Sequence, residues 1–188
     1  MKEEQILEAT RKLFNKYGYK RVSMDEIARE SGVTKKTIYS YYNSKEELLK
    51  QIINEEVQNM KSIVEEIEKE EKPFFEMVHK GICALLHYKK ERQFLRIIVE
   101  ESEIFKNPKV LENIKVIDKT IQNYIREKLE YAQDKKFIKV KDIDITAFII
   151  YKVYIAMLFE WEDTDIEEEK LADNIISILR NGLEGSKK

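Results

Sequence analysis

Five glycines and two prolines are the only strong helix breakers in 188 residues, and between them apolar side chains return every third or fourth position. A β-fold needs a turn every eight to twelve residues or so, and turns draw on Gly and Pro. A chain this poor in both is confined to long helices. The 37% charged and 43% hydrophobic composition agrees, because a helix that covers a core shows one apolar stripe and otherwise charge. The length is enough to bury a real core in one or two domains.

The first amphipathic helix is predicted from Ile6, Leu7, Thr10, Leu13, Phe14 and Tyr17 and ends at Gly18. In VSMDEIARESG, Ser23 and Glu26 have the spacing of a capping box, and Ile27 and Ala28 give a two-turn helix its apolar face before Gly32. VTKKTIYSYYNSK then starts a second short helix, capped by Thr34 and packed through Ile38 and Tyr42. Ser44 and Glu47 open a long helix through Leu48, Ile52, Val57, Met60, Val64 and Ile67, which would link an N-terminal head to a body. Pro73 and Pro108 mark later starts, and a further helix is expected over Phe94 to Phe105. The helical period fails around Asp134 to Lys141, where a loop is expected, with FIKVK the one alternating stretch. Asp144 is expected to cap an apolar helix over 145–161. Asp165 with Glu168 is expected to cap the last helix, 166–181.

The net charge of −2 conceals an uneven distribution. Residues 1–50 hold 11 Lys/Arg against 8 Asp/Glu, an excess of three positive charges, and the rest of the chain carries an excess of five negative ones. A cationic head can neutralise phosphates, and an acidic body has no use for them. A single cysteine, Cys83, forms no internal disulfide, and the amphipathic, acidic N-terminus lacks the form of a signal peptide. The apolar stretch at 145–161 carries Lys152 and Glu160 and falls short of the roughly 20 residues of a bilayer span. The expected location is cytoplasmic, with no membrane partner.

The helix–Gly32–helix spacing of residues 23–43 predicts a helix-turn-helix: the first short helix would brace the second, Gly32 would make the sharp turn, and the second would enter the DNA major groove. Its outward face would carry Lys35, Lys36, Thr37, Tyr39 and Tyr41. Lysines suit phosphates and guanine edges, and exposed aromatics need something to touch.

Residues 1–53 resemble the DNA-binding domain of the TetR family of transcriptional regulators. The resemblance runs through ILEATRKLFNKYGYKRVSMDEIARESGVTKKTIYSYYNSKEELL and covers a little over a quarter of the chain. It implies an all-α protein of about nine helices. Residues 1–48 would form a three-helix DNA-binding domain, and 49–188 a helical bundle for regulation and dimerisation. The resemblance assigns Lys35, Lys36 and Thr37 to base edges or neighbouring phosphates. Tyr39 and Tyr41 go to the backbone or groove wall, and Thr34 and Lys45 to phosphates. It also implies a homodimer formed through the last two helices, and release from an inverted-repeat operator by a small, mostly apolar effector. Phe75, Phe94, Phe105, Tyr124, Phe148 and Tyr151 are the candidate ligand contacts. Where family members commonly have Phe, this chain has Tyr42, whose hydroxyl must reach the surface or find a partner.

Two other readings compete. His79, Cys83 and His87 lie four apart and could bring metal-ligand types together in a helical enzyme. The stripe drifts off the apolar face, however, and ordinary histidines are the better expectation; neither metal nor cofactor is expected. A constitutive dimeric DNA-binding protein with no effector is the other alternative.

Overall fold

The computed structural model describes residues 1–91, 107–159 and 167–183, and every regular element among them is helical. Eight helices follow in order: α1 (Lys2–Tyr17), α2 (Met24–Ser31), α3 (Lys35–Tyr41), α4 (Lys45–Glu68), α5 (Phe74–Glu91), α6 (Pro108–Asp134), α7 (Ile143–Phe159) and α8 (Glu168–Leu183). The helix expected over Phe94 to Phe105 and the cap at Asp165 lie outside the described residues.

The described residues fall into two compact units. The first holds Met1–Gln58 together with the start of α6 up to Ile117. Its core joins Ile6, Leu7, Leu13 and Phe14 of α1 to Ile27 and Ala28 of α2, Ile38 of α3, and Leu48, Leu49 and Ile52 of α4. Val110 of α6 closes the same core. Tyr17, expected on the apolar stripe of α1, is nearly half exposed; Tyr19 in the following loop takes the inward place and meets Phe14 edge-on at 5.4 Å. Gly18 arrests the helix with φ 80°, turning the chain so that Tyr19 faces inward.

The second unit holds Asn59–Glu91 and the chain from Asp118 onward. Leu129, Ala132, Ile138 and Ala147 form its core, with Phe74, Phe75, Ile125 and Ile150 packed against them. The loop expected around Asp134 to Lys141 is present, and α6 ends in it by a Schellman arrangement. Phe137 N–H donates to the Ala132 carbonyl and Lys136 N–H to that of Gln133, both at 2.9 Å, with Lys136 left-handed at φ 61°. The alternation in FIKVK is real, yet it forms no strand: Ile138 is buried and Val140 N–H is held by the Gln133 side chain at 3.0 Å.

One expected cap is corrected. The residue that caps α7 is Asp142, whose Oδ1 accepts the Ile145 N–H at 2.9 Å; Asp144 lies inside the first turn. An aspartate two positions earlier meets the helix's unpaired N–H groups better, because a capping side chain reaches forward to the second or third residue. No helix among the described residues is long and apolar enough to cross a membrane.

Candidate DNA-binding site

The helix-turn-helix is assembled from side-chain to backbone bonds that its sequence prescribes. Ser23 caps α2 by accepting the Glu26 N–H at 3.3 Å, and the Glu26 carboxylate accepts the Ser23 N–H at 2.8 Å. The bond from the Ser23 backbone, with help from the Ser23 hydroxyl, holds the Glu26 carboxyl below its ordinary range. At Gly32 the chain turns left-handed with φ 68°, and an added Cβ would meet nothing within 4 Å. Glycine is therefore required here by backbone conformation, not by space. Thr34 then caps α3, its hydroxyl oxygen accepting the Thr37 N–H at 3.1 Å.

With both ends fixed, the rotation of α3 is set by burial of Ile38 on α3 and of Tyr42, its C-cap. Lys35, Lys36, Tyr39 and Tyr41 consequently face solvent, the two tyrosines at 44% and 45% exposure, and Thr37 is half-buried with its hydroxyl 2.9 Å from that of Thr34. This is the cationic, aromatic face the sequence predicts. The Tyr42 hydroxyl does find a partner: it donates to Glu3 of α1 at 3.0 Å, and burial, reinforced by that bond, raises the phenol above its ordinary value.

Two lysines have tasks that spacing could not reveal. Lys35 bonds Asp25 of α2 at 2.9 Å, and this bond raises the lysine above its ordinary value. Lys45 directs its ammonium to the carbonyls of Tyr19 and Val22, each at 2.8 Å, and lies over the Tyr19 ring at 4.3 Å. Lys45 thus ties the start of α4 to the loop before α2, which orients the whole reading head. A second tie, also unseen in the sequence, joins Arg11 of α1 to Glu55 at 2.6 Å and to the fully buried Glu56 of α4. Its partners are more than 40 residues apart, and periodicity carries no signal for it.

The proposed ligand contacts are dispersed. Phe75 lines an open cleft between α5 and α8, whereas Tyr124 sits between the Lys61 and Lys128 ammonium groups, 5.1 Å from each. Phe148 lies on an exposed side of α7, and buried Tyr151 donates to Asp118 of α6. Phe94 and Phe105 lie outside the described residues.

The His79, Cys83 and His87 stripe faces α8 and pairs there with acids. His79 Nε2 is 2.9 Å from Asp173, His87 Nδ1 3.7 Å from Glu168, and Cys83 Sγ 3.9 Å from His79 Nδ1. Burial, aided by nearby Glu169, Asp173 and Glu168, raises the thiol of Cys83 above its ordinary value. Among the described residues no group of three or more His, Cys, Asp or Glu is placed to hold a metal ion.

A braced helix-turn-helix with an exposed basic and aromatic reading face defines a DNA-binding transcriptional regulator. Residues 6–52 match the profile of "Bacterial regulatory proteins, tetR family". The chain is similar to the uncharacterized HTH-type transcriptional regulator YhgD of Bacillus subtilis, with 35% identity over 161 residues, 86% of this chain and 84% of that one. Accordingly, the chain belongs to the TetR family of bacterial regulatory proteins. Its fold is also that of Salmonella enterica GusR (TM-score 0.77, 22% identity, 97% of this chain and 95% of that one). The regulator FadR of Bacillus subtilis, solved in complex with stearoyl-CoA, is alike to a similar degree (TM-score 0.74, 22% identity, 96% and 98%).

Proposed function

We propose that this regulator is a homodimeric repressor that grips an inverted-repeat operator and lets go when a small, mostly apolar effector binds its body. The observation that carries the reading is the outward face of α3, where Lys35, Lys36, Tyr39 and Tyr41 surround the buried anchor Ile38. Residues 1–48 serve as the DNA-binding domain and 49–188 as the regulatory and dimerisation domain. Lys36 and Thr37 meet base edges or adjoining phosphates; Lys35 does so on leaving Asp25. Tyr39 and Tyr41 rest on the groove wall, Thr34 lies against a phosphate, and Lys45 reaches one on leaving the carbonyls of Tyr19 and Val22.

Dimerisation uses α7 and α8. Ile145, Phe148, Ile149 and Val153 make an exposed stripe along α7, and Ile178 of α8 is 73% exposed. A stripe of large apolar side chains left to water supports a self-complementary interface between two copies. The reading heads of such a dimer enter successive major grooves about one helical turn apart or a multiple of it. The effector acts by binding better to the conformation whose heads are wrongly spaced, and this difference in affinity limits the response. That FadR was solved with stearoyl-CoA supports an effector with a substantial apolar part. Its target being chromosomal DNA, the protein works in the cytoplasm and carries out no catalysis.

Selection of bound sequences from a random duplex pool tests the reading. An inverted repeat is expected among the survivors. Enrichment of no sequence at moderate salt would defeat it.

A further inference from the structure

The loop that joins α1 to α2 is fixed by what it buries. Tyr19 and Val22 turn into the core of the first unit, and the carbonyls of both receive the Lys45 ammonium at 2.8 Å. Between those anchors Arg21 is left on the outside. Among the described residues it makes no hydrogen bond, ion pair or ring contact. Other cations of the head are engaged: Arg11 by Glu55 and Glu56, Lys12 by Glu30, Lys35 by Asp25 and Lys45 by the loop itself. Arg21 is a guanidinium on a rigid mount, and it gives up no bond in order to meet an anion.

Its surroundings favour one. Arg21 lines an open cleft between α1 and α2 with Leu13, Tyr17, Glu26, Arg29 and Glu30. The carboxylates there are engaged, since Glu26 accepts the Ser23 N–H at 2.8 Å and lies in the field of Arg29, while Glu30 holds Lys12. Lys16, above the Tyr17 ring at 5.0 Å, adds positive charge to the same edge of the head.

Position identifies the anion. Arg21 precedes Asp25 by four residues, and Asp25 is bonded at 2.9 Å to Lys35 in the first turn of α3. Four residues of chain span at most about 14 Å, close to the ~12 Å width of the DNA major groove. A head with α3 in that groove therefore brings Arg21 within reach of the strand that borders it. We propose that Arg21 grips a backbone phosphate of that strand, a contact carried by the loop before α2 and held in place by Lys45. The proposal rests on α3 being the reading helix. Two parallel N–H groups of a guanidinium match the oxygens of a phosphate, and such a contact positions the head without reading sequence. It also gives Lys45 a part in DNA binding while its ammonium stays on the loop, as the brace that aims Arg21.

The test uses full-length protein with a random duplex and one selected from the pool, binding being followed by fluorescence anisotropy from about 0.1 to about 0.3 M salt. For each head bound, Arg21→Gln should weaken both duplexes alike, about eightfold at the lower salt and about threefold at the higher, and should lower the salt slope by roughly one. Arg21→Lys keeps the charge and should retain the slope. Lys139→Gln removes a charge from the second unit and should change neither quantity. Replacement of single phosphates by neutral methylphosphonates should find a position where the wild type loses affinity and Arg21→Gln does not. Thermal melts check that each variant folds, and Arg21→Ser serves if the glutamine variant melts early. An unchanged slope, a loss confined to the selected duplex, a lysine variant as weak as the glutamine one, or no phosphate whose neutralisation affects the wild type alone overturns the clamp. Failure of α3 as the reading helix is seen separately, as a Lys36→Ala protein that keeps its full affinity and preference.

Discussion

The hydroxyl of Tyr42 donates to the carboxylate of Glu3 at 3.0 Å, joining the C-cap of the reading helix to the first turn of the chain. Tyr42 is 7% exposed, so the bond lets a polar group occupy a core position without an unmet donor. Tyr42→Phe should lower stability by about 1 kcal/mol, because it removes one bond to a charged acceptor that water can still solvate. The folded chain holds the phenol above its ordinary value of 10.0. Its contribution is therefore complete below that value and is lost as the pH rises past it. Urea melts at about pH 8 and about pH 11 should show wild type losing more stability than Tyr42→Phe on going alkaline; equal losses would show that the bond does not matter.

Arg11 and Glu56 form the other long-range tie, and here the balance differs because Glu56 is fully buried. Removing the cation takes the countercharge from a carboxylate away from water, so Arg11→Met should cost about 3 kcal/mol, whereas Arg11→Met with Glu56→Gln should recover much of it. Denaturant melts of the two single variants and the double give the coupling directly. Additive losses would mean that the pair acts independently.

What the sequence disclosed and what it hid divide along one physical line. Capping boxes, the Gly32 turn, the inward Ile38 and the outward Lys36, Tyr39 and Tyr41 are set by neighbours within four residues, and periodicity reads them. The inward turn of Lys45, the Lys35 to Asp25 bond and the grip of Arg11 on α4 join residues 10 to 45 positions apart. No local rule places those. The apolar helix of α7 illustrates an intermediate case: its composition reads as covered on every side, yet Ile145, Phe148, Ile149 and Val153 stand exposed. Hydrophobicity all round a helix says that it is covered, not whether the cover belongs to the same chain.

Lys35 bonded to Asp25 gives DNA binding an internal competitor. For Lys35 to meet DNA as proposed, a phosphate or base edge must draw the ammonium from a carboxylate 2.9 Å away, and that carboxylate would also repel the DNA backbone. Asp25→Asn should tighten binding several-fold for specific and random duplexes alike. Lys36→Ala and Thr37→Ala should instead weaken the preferred sequence most and relax its selectivity. Gel shifts across salt concentrations separate these outcomes, since a lost phosphate contact also lowers the salt slope by roughly one. A Thr37→Ala protein with unchanged preference would remove that residue from the reading face.

The exposed stripe of α7 supplies the sharpest test of assembly. Phe148 and Ile149 are about half exposed, so charge introduced there should leave each copy folded while opposing like charge across a two-fold axis. Phe148→Glu with Ile149→Asp should sediment as a monomer, with a melting profile near that of wild type. On DNA the monomer should keep its affinity for an isolated half-site but lose the gain from two linked heads, which amounts to about a hundredfold or more for the full repeat. The pattern matters more than either number. A variant that lost half-site binding would have damaged the head, and one that remained a dimer would place the interface on some other surface.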